Sequence, residues 1–323
     1  MISLDEYRAL HEGAGIRPRD DRGRIALRGA DSKAYLHGLL SNDILSLQPG
    51  GWCYATLLTA QGRMISDMRV FDLGELILLD LELAVTSTVR EHLDRFVITE
   101  DVAVQDVTAE WSQIGLYGSR AGAVLTTAAD DPSWSAPLWV VPGGDLGVAG
   151  VDLVVPAASA AATIAALERA GALRVSHSTA EVARIEAGIP KFLVDMDTTT
   201  IPLEAGIEDR AISMTKGCYV GQEVIVRVLH RGSGRVAKKL VSLEIDGGEA
   251  QRDDRLFAGE REIGRITSAA DSPRAGKRIA LGYVQRDFVE PGTRLTVKTA
   301  VGDVPAVVTH QGGPSRTAPH AGA

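Results

Sequence analysis

The 323-residue chain carries 34 Lys and Arg against 42 Asp and Glu, a formal net charge of −8, with 45% hydrophobic, 24% charged and 5% aromatic residues. This ordinary composition excludes disordered, collagen-like and fibrous classes, and at roughly 100–200 residues per domain it suggests two or three domains. The acidic balance argues against a broad electrostatic grip on nucleic acid or an anionic membrane, which needs many uncompensated cations.

The only two cysteines, Cys53 and Cys218, can form neither a multi-disulfide framework nor a CxxC metal knuckle, so a reducing cytoplasm is the simplest compartment. No basic-then-apolar leader opens the chain. Its longest weakly polar run, 153–167, is Ala-rich and falls short of the about 20 apolar residues that a spanning helix needs, so no membrane segment is expected.

Ser3 and Glu6 have capping-box spacing, predicting a short helix to Gly13. Residues 24–27 read as a strand, and Asp31 opens a helix through Leu40 that Ser41-Asn42-Asp43 ends. Apolar runs at 54–58, 64–71 and 76–79, broken at Gln61-Gly62 and Leu73-Gly74, predict an antiparallel meander. A helix over 83–96 and a strand over 102–107 follow. The stretch 128–150 reads as loops around one strand at 138–141, then come a strand at 151–155 and an Ala-rich helix from Pro156 to Gly171. Ser178 and Glu181 form a second capping-box pattern, opening a helix that closes at Gly188. Beyond Arg235, short alternating segments separated by Gly, Asp and Pro suggest a small β-barrel or sandwich. The last dozen residues, 312–323, have the composition of a disordered tail.

The densest chemistry is Lys216-Gly217-Cys218-Tyr219-Val220-Gly221-Gln222-Glu223, just before an apolar-periodic run. A helix starting near Gly221 places Cys218 ahead of its positive end, with Lys216 close by and Arg227, His230 and Arg231 downstream. Positive potential favours thiolate, the condition for a reactive cysteine. The alternative is a buried small hydrophobe in a turn that the glycines serve. Glu186 falls in the last turn of the 178–188 helix, where the dipole disfavours a carboxylate by about 0.3–1 kcal/mol. It could accept hydrogen bonds from a ligand's amino and ring N–H groups, or form an ion pair with Arg184. Asp67 lies in a predicted strand, where Asp is disfavoured. It either faces a cavity as a proton acceptor or faces solvent from an antiparallel sheet. The seven histidines show no paired metal spacing, and no phosphate loop, GxGxxG or GxSxG element occurs. No metal ligand set is therefore assigned.

The signature at 216–223 resembles the K-G-C-[YF]-x-G-Q-E element of the YgfZ group of folate-binding proteins, relatives of the glycine-cleavage T-protein. Arg184-Ile185-Glu186-Ala187-Gly188-Ile189-Pro190, Pro202-Leu203-Glu204-Ala205-Gly206 and the segment 36–49 around Ser41-Asn42-Asp43 are similar to further elements of that superfamily, in order. The resemblance implies an α+β, three-lobed fold with a small C-terminal β-barrel. The expected division is a folate-binding region at 1–235 with a lobe break near 111–150, a barrel at 236–311 and a tail at 312–323. Tetrahydrofolate or a derivative is the implied cofactor. Glu186 matches the glutamate that holds the pterin, and Asp67 falls near the aspartate with which T-proteins assist folate chemistry, although this stretch reads Ile-Ser-Asp where they carry Asp-Asp. Arg184, Tyr219, Gln222, Glu223 and Arg227 are further candidates for cofactor contact, with Cys218 and Lys216 beside Asp67 as candidate reacting groups.

The leading expectation is a cytoplasmic, tetrahydrofolate-binding helper of iron–sulfur cluster assembly or repair, with client enzymes or assembly proteins as partners and a thiolate at Cys218. The alternative is a folate-dependent aminomethyl- or methyltransferase that uses Asp67. A third reading, tRNA modification, gains little from the acidic balance, and neither nucleic acid nor membrane is expected as a partner.

Overall fold

A computed structural model of the protein describes residues 2–230 and 235–311. The chain divides into two compact units, one of Met1–His37, Asp43–Tyr54 and Asp67–Ala183, the other of Gly38–Asn42, Ala55–Ser66 and Arg184–Ala323. In chain order the elements begin α1 (Leu4–His11), β1 (Gly15–Pro18), β2 (Arg22–Arg28), α2 (Ser32–Leu39), β3 (Trp52–Leu58), β4 (Met64–Asp72), β5 (Ile77–Glu82) and α3 (Thr86–Arg95). They continue β6 (Ala103–Asp106), β7 (Trp111–Tyr117), α4 (Ala121–Ala129), β8 (Trp139–Pro142), β9 (Gly150–Pro156), α5 (Ala160–Arg169), β10 (Leu173–Arg174) and α6 (His177–Glu186). Next come α7 (Pro202–Ala205), α8 (Glu208–Ala211), α9 (Gln222–His230), then β11 (Lys238–Ile245), β12 (Arg255–Ala258), β13 (Arg261–Ser272), β14 (Lys277–Gln285), β15 (Arg294–Thr299) and β16 (Gly302–Gln311).

Two five-stranded sheets, ordered β10-β1-β7-β9-β8 and β3-β4-β5-β2-β6, are followed by a closed six-stranded barrel, β11-β14-β13-β12-β15-β16. The expected α+β class with a terminal barrel is what the chain adopts. In the first unit, Ile16, Ile114, Leu116, Leu153 and Val155 pack on Val124, Ile164 and Leu167 of α4 and α5. The small side chains of Ala-rich α5 suit close packing against the sheet. In the barrel, alternation sends Val241, Leu243 and Ile245 inward against Leu256, Ile266, Val297 and Val308. The outer face of β11 and β14 is also apolar, because Leu240, Ile279, Leu281 and Tyr283 cover Ile185 of α6. Among the described residues no helix is long and apolar enough to cross a membrane.

Local capping is half as the spacing predicts. Ser3 caps α1 by accepting from the Glu6 N–H at 3.3 Å. The Glu6 carboxylate turns elsewhere and accepts from the Ser176 N–H at 2.9 Å and the Thr179 hydroxyl at 2.7 Å. α6 accordingly opens at His177, with Ser176 Oγ accepting from the Thr179 N–H at 3.4 Å, so the Ser178–Glu181 pattern is not its cap. A tertiary partner from α1 overrides the local box. The helix stops where expected, with Gly188 at φ +68° and the Ile189 N–H bonded to the Arg184 carbonyl at 3.1 Å. β7 and α4 had no counterpart in the sequence reading, since Gln113 and Gly115 interrupt the apolar alternation of β7. The expected tail at 312–323 and Arg231 lie outside the described residues.

Candidate functional site

Asp67 sits inside β4 and is 7% exposed, so its solvent-facing alternative is overturned. The phenol of Tyr54 on β3 donates to Asp67 Oδ2 at 2.6 Å. A buried carboxylate beside a hydroxyl donor, on a rigid strand, can hold or receive a proton at a fixed point.

Two residues along β4, Arg69 anchors a buried charge network that the sequence reading missed. Its Nε donates to Asp80 Oδ2 at 2.8 Å, its Nη2 to Asp80 and, at 2.6 Å, to Asp152 Oδ2, and its Nη1 to the Pro142 carbonyl at 3.1 Å. Arg22 Nε holds the other oxygen of Asp80 at 2.6 Å. Gln113 Nε2 reaches both carboxylates, and the Tyr117 hydroxyl donates to Asp152 while accepting from Arg19. Burial alone would raise the Asp80 carboxyl, but the guanidinium groups of Arg22 and Arg69 hold it well below the usual carboxylate range. Burial likewise opposes the charge on Arg69, and Asp80 with Asp152 reverses that and raises it. The network ties β4 and β5 of one sheet to β7 and β9 of the other. The residue types were in plain view, but their separations of 11 to 83 positions carry no local signal.

In the second unit, Arg184 is buried and braced. Its Nη1 donates to the Ile189 carbonyl and to Asp195 Oδ2, both at 2.7 Å, and its Nη2 to Ser268 Oγ at 2.9 Å. Asp195 also accepts from the Thr267 and Ser268 hydroxyls. The structure thus gives Arg184 an internal role, tying α6 and the 189–195 loop to β13. Glu186 ends α6 half-buried, and one of its oxygens accepts from the Ser272 hydroxyl. That hydroxyl offsets part of the dipole penalty at a helix C-terminus.

The 216–223 segment forms a turn into α9, as its spacing predicts. Gly221 has φ +84°, and a Cβ there would lie 2.5 Å from the Thr59 carbonyl oxygen. Gly62 in the β3–β4 turn has φ +73° and packs against Val224. These two glycines let two turns touch through backbone. Gly217 has no such need, since a Cβ there would meet nothing within 4 Å. Gln222 Oε1 accepts from the Tyr219 N–H at 3.2 Å and closes the turn. Burial pushes the Tyr219 phenol up to about 12. Lys216 Nζ donates to the Leu40 carbonyl at 2.6 Å and lies 4.9 Å from the Tyr219 ring centroid, so it staples this turn to the end of α2. Cys218 is an exposed free thiol, not the buried hydrophobe of the alternative reading. Glu223 and Arg227 stand exposed on α9. Ser41, in the Ser-Asn-Asp segment, is fully buried and bonds the Ala211 carbonyl at 2.6 Å and Thr56 at 2.8 Å. Ser41 and Asn42 belong to the second unit, and Asp43 opens the next stretch of the first.

A family model of the GCVT N-terminal domain matches residues 2–216, and one of the glycine cleavage T-protein C-terminal barrel domain matches residues 238–312. An aminomethyltransferase of Thermosynechococcus vestitus is 29% identical over 319 residues, spanning 94% of this chain and 86% of that protein. One of Rubrobacter xylanophilus is 29% identical over 293 residues, spanning 86% and 78%. Among solved structures, the glycine cleavage system aminomethyltransferase T of Bartonella henselae shares the fold with a TM-score of 0.85 at 20% identity, covering 95% of this chain and 88% of that one. These relatives correct the leading functional expectation. A helper of iron–sulfur assembly finds no support in relatives that are named aminomethyltransferases and match 94% and 86% of this chain, which favour the transferase alternative.

Proposed function

The chain belongs to the glycine cleavage T-protein (GCVT) family, and on that premise we propose that it is an aminomethyltransferase whose proton acceptor is Asp67. Tetrahydrofolate is its cofactor, as throughout the family. The residues present suit that ligand: a reduced pterin offers amino and ring N–H donors, for which Glu186 in the second unit, held by the Ser272 hydroxyl, is a carboxylate acceptor, and Asp67 in the first unit, held by the Tyr54 hydroxyl, is a proton acceptor.

When bound, tetrahydrofolate supplies the nitrogen that takes up the one-carbon unit of an aminomethyl donor. Glu186 would accept from the pterin N–H groups and so orient the ring. From its low-dielectric position Asp67 would take up the proton that the folate nitrogen loses on forming the carbon–nitrogen bond and would return it to the amine that leaves the donor as ammonia. Arg184 keeps the end of α6 in place through Asp195. Tyr219 and Gln222 shape the turn before α9, and Arg227, exposed on that helix, is the candidate partner for a folate carboxylate. Within the family the 216–223 signature supports a YgfZ-type branch, yet Cys218 carries no step of this transfer.

The observation that carries the reading is the buried Asp67 carboxylate on β4 with its Tyr54 donor. The test is formation of 5,10-methylenetetrahydrofolate from an aminomethyl donor at saturating tetrahydrofolate, followed by mass spectrometry. Wild type forms product, Asp67→Asn loses about 100-fold or more, and Cys218→Ser keeps its rate. Calorimetry shows weaker tetrahydrofolate binding for Glu186→Gln. Absence of product from wild type, or full turnover by Asp67→Asn, ends the transferase reading.

A further inference from the structure

β3 and β4 are neighbours, and across them the Tyr54 hydroxyl donates to Asp67. At 2.6 Å the O···O separation is that of a hydroxyl donating to an ionised carboxylate, a bond about twice as strong as a neutral one. Asp67 is 7% exposed, so water competes little for the same oxygen. The strand beneath it has little play, because Arg69, two residues on, is fixed by Asp80, Asp152 and the Pro142 carbonyl.

We propose that Tyr54 is a positioning residue for Asp67: its hydroxyl fixes the carboxylate plane through Oδ2 and favours the ionised form that accepts the substrate proton. The inference rests on the transferase reading and adds to it the group that sets the pH range and geometry of its base. A hydrogen bond to the charged form of an acid lowers its proton affinity, so Tyr54 keeps Asp67 a base further into the acid range than burial alone allows. The other ionisable groups along these strands are Cys53 on β3 and Arg69 and Asp72 on β4. Arg69 is paired with Asp80 of β5 and Asp152 of β9, and Asp72 with Lys33 of α2.

The experiment is the pH profile of kcat for methylenetetrahydrofolate formation in full-length wild type, Tyr54→Phe and a variant with 3-fluorotyrosine at position 54, each checked for a native thermal transition. Tyr54→Phe lowers kcat about 10-fold at neutral pH with KM for tetrahydrofolate within about 2-fold, and its acid limb moves to higher pH by about half to one unit. The fluorinated residue keeps ring and hydroxyl but is the stronger donor, so its acid limb moves the opposite way, to lower pH. A uniform loss at every pH, or limbs that coincide with wild type in both variants, overturns the proposal and leaves Tyr54 as a packing residue. Should Tyr54→Phe not fold, the fluorotyrosine shift alone decides. Asp67→Asn, run alongside, separates the two ideas: if it retains turnover the transferase base itself is misassigned, whereas its loss without a Tyr54 effect removes only the positioning role.

Discussion

Between its two sheets the first unit buries Arg22, Arg69, Asp80, Asp152 and Gln113, while the barrel of the second unit closes on Val241, Leu243, Ile245, Leu256, Ile266, Val297 and Val308. The charged interior is directional. Each carboxylate is satisfied by particular guanidinium and amide donors, joined at Asp152 by the Tyr117 hydroxyl, at 2.5–3.2 Å, and removing one leaves an uncompensated charge where solvation is poor. The aliphatic interior is stabilised by area removed from water, at about 25 cal/mol per Å², with no preferred partner. Precision is therefore concentrated in the unit that holds Asp67, whereas the barrel needs only volume and alternation.

The largest effect that would break this contrast is Arg69→Leu, expected to cost about 3–5 kcal/mol in urea unfolding. All four tryptophans, Trp52, Trp111, Trp134 and Trp139, lie in the first unit, so their emission reports its unfolding. Lowering the pH acts on the same network. Asp80 has a depressed folded pKa, so its contribution is present above the unfolded carboxylate value of about 4 and is lost as pH falls below it. A tryptophan transition insensitive to acid down to pH 3 would count against the network as a source of stability.

Ile266→Ala in the barrel comes next, at about 2–5 kcal/mol from lost burial and a cavity. Its cost should be the same at pH 4.5 and pH 8, and a marked pH dependence in paired melts would show that charge enters the barrel core after all.

A smaller effect sharpens the boundary between the two chemistries. Burial raises the Glu208 carboxyl, and its Oε2 is enclosed with no hydrogen-bond partner, while Lys239 lies 3.9 Å from Oε1. A raised folded pKa means that stability is fully present below the unfolded value near 4.3 and declines as pH rises through the folded one. Glu208→Gln should thus stabilise by on the order of 1 kcal/mol at pH 8 and by nothing at pH 4, read as a pH-dependent difference in Tm. The smallest is Leu193→Gly. Leu193 holds φ +66° in the loop that carries Asp195, and glycine removes that strain while adding unfolded-state entropy, for a net gain of at most about 1 kcal/mol in chemical denaturation.

Parts of this were legible beforehand because they depend on near neighbours. The barrel strands follow period-two alternation, Ser3 caps α1, Gly188 ends α6, and the 216–223 turn opens α9 at Gln222, each set by residues within a few positions. Ordered elements from 184 to 223 carried the T-protein superfamily and its cofactor, whereas the iron–sulfur role read from the 216–223 signature did not hold. What failed did so for one reason. The Ser178 box yielded to Glu6 from 170 positions upstream, Gln113 hid β7 because its partners are 33 and 39 residues away, and Glu186 met Ser272 from 86 positions downstream.

Sequence by itself therefore determined the fold class, the family and the local geometry of the Gly221 turn, because dihedral preference and hydrophobic period act over one or two turns of chain. Only the tertiary structure decided that Asp67 is enclosed, that Tyr54 is its donor and that Arg69 is locked by two buried aspartates. Those facts depend on which distant side chains share a dry interior, where an electrostatic contact is strong because nothing else can replace it.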